Sequence, residues 1–166
     1  MIENELPLDD LPAPLREVLE YWRARGGEEL KCGWRDFNLE DLPASVLPTT
    51  LVVDVKPDPG QNVFRFYGTG MRYIHGTDMT GRTTAELEPP ELAETVRRNH
   101  ATTVRIKTAD ASTYGFERHG GFDHRQSLLR LPLSDDGENV HHIVIVIDLT
   151  SEARDELAKA RGGQAL

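Results

Sequence analysis

The chain has a single cysteine, Cys32, in 166 residues, which excludes an intrachain disulfide framework and any CxxC metal knuckle. It has no apolar run long enough to cross a bilayer, and its N-terminus is acidic where a secretory leader would be basic. A cytoplasmic protein with no membrane partner is therefore expected. Positive charge is also scarce: 19 Lys and Arg against 28 Asp and Glu give a formal net charge of −9. That balance repels phosphate backbones and anionic lipid, so nucleic acid is not an expected partner. Nucleophile-elbow, P-loop, HExxH and dinucleotide glycine motifs are absent too, which removes the common signatures of several enzyme classes.

What is present suits one core. A chain of this length with 38% hydrophobic residues buries roughly 70% of its unfolded surface as one domain. Asp9, Asp10, Pro12 and Pro14 are helix-start signals, and Leu15, Val18, Leu19 and Trp22 then recur at helical spacing until Gly26 and Gly27. The result is an amphipathic N-terminal helix whose apolar stripe can cover either its own sheet or a second subunit. Residues 51–55 and 63–67 read as strands of an antiparallel hairpin, because the few turn residues between them cannot make a parallel crossover. A helix is expected from Glu91 to about Lys107, although its β-branched end, Thr102 to Ile106, also suits a strand. Residues 113–118 and 125–133 alternate as strands. Ile143 to Ile147 is continuously apolar, as a central strand buried on both faces would be. Ser151 onward reads as a short exit helix. Three segments are expected: 1–28 as lead-in and amphipathic helix, 29–150 as the main domain, and 151–166 as exit helix and tail.

The stretch Phe64 to Arg82, F-R-F-Y-G-T-G-M-R-Y-I-H-G-T-D-M-T-G-R, joins an aromatic strand to glycine-punctuated turns. Together with Trp22, Asp36-Phe37, Leu47-Pro48 and Leu131-Pro132-Leu133 before Asp136-Gly137, it resembles the single-domain bacterial PAS_5 family. The resemblance spans roughly residues 15 to 150 and departs from the family where Cys32-Gly33-Trp34-Arg35 stands before Asp36. It implies an α+β, PAS-like fold: a five-stranded antiparallel sheet with helices packed on one face, plus the N-terminal amphipathic helix. It also implies a stand-alone signalling module rather than an enzyme, one that binds a small apolar ligand or a protein partner.

The expected ligand pocket is lined by Phe64, Phe66, Met71, Ile74, His75, Met79 and Phe116. Phe64 and Phe66 are placed on one strand face, because residues two apart in a strand point the same way. Met71, Ile74 and His75 follow on short helical spacing. Asp78 and Thr80 read as local turn residues. The sequence names no cofactor. Leu15, Val18, Leu19 and Trp22 are the expected contact of a homodimer. Two alternatives stand beside this reading: a metal-dependent enzyme built on His119, Asp123, His124, His141 and His142, and a structural interaction domain with a solid core. No helical ligand spacing supports a metal site, and no catalytic residue is assigned.

Overall fold

The computed structural model describes residues 2–117, 123–149 and 155. In chain order the elements are β1 (Ile2–Glu5), α1 (Ala13–Arg23), β2 (Thr50–Asp54), β3 (Val63–Tyr67), α2 (Thr69–His75), α3 (Pro90–Ile106), β4 (Asp110–Glu117), β5 (Asp123–Leu133) and β6 (His142–Leu149). The strands form one antiparallel sheet in the order β1-β4-β5-β6-β2-β3. The apolar run of Ile143 to Ile147 lies in β6, between β5 and β2, with Ile145 opposite both Leu51 and Arg130. This is the α+β, PAS-like arrangement, with the last strand central beside the first strand of the hairpin.

The sheet has one strand more than the five expected. Ile2-Glu3-Asn4-Glu5 is too short and too charged to read as a strand, yet it pairs along β4 from Ile2↔Gly115 to Glu5↔Ser112. Short, charged strands are what sheet edges tolerate, so pairing rather than intrinsic preference makes this one. The exit helix expected after Ser151 lies outside the described residues, apart from Asp155.

Alternation along the strands divides the core into two layers. Val52, Leu129, Leu131, Leu133, Val144 and Val146 face α1, whereas Leu51, Val53, Ile143, Ile145 and Ile147 face α2 and α3. The stripe of α1 covers its own sheet: Leu15, Val18, Leu19 and Trp22 are at most 1% exposed, and the Trp22 indole N–H donates to the Pro132 carbonyl at 3.0 Å. Those four side chains therefore have no surface left for a second subunit. The dimer contact expected of them is corrected to an intrachain one.

The β-branched end of α3 is helical to Ile106. The Thr102 hydroxyl donates to the Arg98 carbonyl one turn back at 3.1 Å, which lets a β-branched threonine sit in a helix at little cost. No helix among the described residues is long and apolar enough to cross a membrane.

Candidate functional site around α2 and α3

The Phe64 to Arg82 stretch begins with an irregularity that alternation alone does not reveal. Val52 pairs with Phe66 and Val53 with Phe64, so Arg65 is an extra residue bulged out of β3. One added residue reverses the faces of its neighbours. Phe64 enters the layer under α2 and α3, while Phe66 packs toward α1, so the shared face expected for the pair is corrected to opposite faces.

Phe64 meets the Tyr67 ring edge-on at 5.3 Å, and both belong to a buried cluster with Met71 and Met79. After β3 the chain turns tightly. A Cβ on Gly68 would lie 2.2 Å from the Pro48 carbonyl oxygen, so only glycine allows α2 to start against the segment leading into β2. The helix is seven residues long, buries only Gly70 and Met71, and ends at Gly76 with φ +72°. Beyond it, Asp78 Oδ1 accepts from the Thr80 N–H at 2.9 Å and the Thr80 hydroxyl at 2.7 Å. The chain then returns along β3, where Gly81 N–H donates to the Phe64 carbonyl at 2.8 Å.

His75 closes α2 from outside. Its ring nitrogen Nδ1 is hydrogen-bonded to the Tyr67 hydroxyl. Desolvation pushes the Tyr67 phenol well up and the His75 imidazole down, so both are neutral at pH 7. Ile74, expected on the pocket wall, is instead 38% exposed, beside Tyr73 at 50%. A helix this short shows the sheet one face only, and Met71 occupies it. Of the expected pocket residues, the structure thus brings Phe64, Met71 and Met79 together under α2, keeps His75 at its rim, and separates Phe66 and Ile74. Phe116 lies in β4, and its side chain is outside those described.

Sequence reasoning missed a polar network under α3. Arg130, 4% exposed, donates to Asp110 at 2.6 Å and to the Ser112 hydroxyl at 2.7 Å, while the Thr103 hydroxyl donates to the other Asp110 oxygen at 2.6 Å. His100 Nδ1 lies 3.3 Å from the Asn62 amide nitrogen, and burial, with the nearby Arg130 charge, pushes its pKa down to about 3. At the sheet edge, Glu3 accepts from Tyr114 at 2.9 Å, Asn99 at 2.7 Å and Arg98 at 3.1 Å. The signal available was Arg130 itself, an arginine alternating with Leu129 and Leu131 in a buried strand. These groups satisfy one another and tie α3 to the sheet.

The metal cluster of the alternative reading is pulled apart. His142 pairs with Leu133 at one end of β5, and His124 stands nine positions back along that strand. At ~3.3 Å per residue, that separation is about 30 Å. His119 lies outside the described residues, and the side chains of Asp123 and His124 are likewise not described. Cys32 is buried, and burial pushes its thiol up to about 11, where it is unreactive at neutral pH.

No family model and no curated protein matches the sequence. Among solved structures, the chain is similar to the VqmA dimer of Vibrio cholerae, with 12% identity and a TM-score of 0.47 over 63% of this chain and 47% of that one. It is also similar to a sensory box sensor histidine kinase from Vibrio cholerae, with 17% identity and a TM-score of 0.44 over 61% of this chain and 82% of that one. A LOV protein of Rhodobacter sphaeroides gives 10% identity and a TM-score of 0.48 over 76% of this chain and 79% of that one. The chain spans about half the length of the VqmA structures it matches. Likeness at this level carries no argument about ligands, partners or activity, and the fold rests on the sheet order and register described above.

Proposed function

We propose that the chain is a PAS-like sensory module that works by binding rather than catalysis: a small apolar ligand enters between α2 and the sheet, and the displaced helix reports this to a protein partner. The observation that carries the reading is the weak attachment of α2, a seven-residue helix that buries only Gly70 and Met71. Helices shorter than ~12 residues are marginal on their own. Opening α2 would uncover Met71, Met79, Phe64 and Tyr67, an apolar lining with one phenol. The exposed Tyr73 and Ile74 would move with the helix and give a partner something to sense.

Native mass spectrometry of freshly purified full-length chain tests this reading. The expected result is a bound apolar molecule, together with amide exchange across residues 69–79 that rises at least tenfold after extraction with a hydrophobic resin while β5 and β6 stay protected. A chain at its sequence mass, with α2 as protected as the central strands, would overturn it. The tight cluster of Phe64, Tyr67, Met71 and Met79, each at most 2% exposed, would then stand as the solid core of an interaction domain.

A further inference from the structure

On the opposite face of the sheet from α2, the loop of residues 31–36 and the turn of residues 134–137 border an open cleft of about 830 Å³, lined also by Arg65 and His142. Small-molecule sites have volumes of roughly 300–1,000 Å³. We infer that this cleft binds a free amino acid with an aromatic side chain, held as its zwitterion.

The walls are built and fixed. Ser134 N–H donates to the Cys32 carbonyl at 2.9 Å, Trp34 N–H to Asp135 Oδ1 at 3.2 Å, and Gly33 N–H to Asp36 Oδ2 at 2.9 Å. A Cβ on Gly33 would stand 2.8 Å from Asp135 Oδ1 and 3.1 Å from the Ser134 carbonyl oxygen, so glycine lets the loop lie close against the turn without displacing the Asp135 side chain. Little ordering is left for a ligand to impose, and low ordering cost favours binding.

The charges left over have both signs. Arg65 is committed to Asp54 at 2.7 Å. Both Asp136 oxygens are occupied, one by the N–H groups of Glu138 and Asn139 and the other by the Asn139 amide. Lys31 and Arg35 make no ion pair among the described residues, whereas Asp36 and Asp135 each use one oxygen on a loop N–H and keep the other. The two cations suit a carboxylate and the two spare oxygens an ammonium. A ligand of one sign would leave the opposite groups facing its charge. The half-buried Trp34 ring also lines the cleft, with His142 at 5.5 Å and the Arg65 guanidinium at 5.6 Å, as a platform for an aromatic side chain.

Isothermal titration of the full chain decides it, with L-phenylalanine as probe and with 3-phenylpropionate, phenethylamine and L-alanine as ligands lacking the ammonium, the carboxylate and the ring. L-phenylalanine should bind saturably and each of the others at least about tenfold more weakly. Arg35→Ala, at an exposed position, and Trp34→Ala should each weaken L-phenylalanine about tenfold, with Trp34→Phe retaining most of the affinity. Absence of saturable binding, equal binding of 3-phenylpropionate, or unchanged binding in Arg35→Ala would overturn the assignment. If Trp34→Ala fails to fold, Arg35→Ala and Trp34→Phe still decide it. The outcome is independent of whether anything binds under α2.

Discussion

Trp22 shows how one side chain fixes the relation of α1 to the sheet. It is fully buried and its indole N–H has a single partner, the Pro132 carbonyl, reached across the sheet face. Trp22→Ala should cost about 3–5 kcal/mol, from lost packing and the cavity left behind. Trp22→Phe keeps much of the apolar volume but strands the carbonyl, and should cost about 1–3 kcal/mol. Urea unfolding of the two variants measures both. Because the stripe faces its own sheet, the sedimentation coefficient of the folded fraction should not change; a shift toward a smaller species would instead place Trp22 at a subunit contact. The apolar periodicity around Trp22 was legible in the sequence, since helical spacing survives any context. Which surface it covers was not, because a stripe looks the same against a sheet or a second chain.

At the level of elements, five of the six strands and the central place of the last one were legible, because runs such as Ile143 to Ile147 are unambiguous. The site was less so, and Arg65 explains most of the difference. Strict alternation puts Phe64 and Phe66 on one face, and a bulge leaves no mark in composition. β1 escaped for the opposite reason: it has no strand character and exists through its partner. It is tied to α3 by Glu3, which accepts from Tyr114, Asn99 and Arg98. Burial works against the Glu3 charge, but these bonds outweigh it and hold the carboxyl below its ordinary pKa. Charge-assisted hydrogen bonds contribute roughly 1.5–3 kcal/mol. Glu3→Ala should therefore loosen β1 locally. Hydrogen exchange should quicken about tenfold or more at the β4 amides that pair with β1, between Ser112 and Gly115, with little change in β5 and β6. Uniform acceleration across the sheet would mean that β1 is part of the global folding unit instead.

For the whole molecule, these buried groups set the response to pH. His100 is neutral in the folded state, with a pKa near 3 caused first by burial and then by the Arg130 charge. Desolvation lowers His75 as well, although its side chain is exposed, and burial lowers His142, where the pull of Asp54 and Asp135 only partly offsets it. A histidine whose folded pKa lies below its unfolded value of ~6.5 binds more protons when unfolded, so its contribution is intact above pH 6.5 and is lost as the pH falls toward the folded value. Each pH unit inside that window is worth about 1.4 kcal/mol per group. His100 alone should therefore remove about 2 kcal/mol of stability between pH 6.5 and pH 5, before carboxylates such as Glu3, held below their ordinary pKa, begin to protonate and add to the loss. Replacing it by glutamine keeps a polar side chain near Asn62 but removes the titration. His100→Gln should be less stable than the parent at pH 7, yet lose less stability on acidification to pH 5. The difference between the two slopes, measured by denaturant unfolding at several pH values, isolates this one ring from His75 and His142. Parallel slopes would show that His100 takes up its proton without leaving the fold, and that the network of Asn62, Arg130 and Asp110 accommodates a second buried cation.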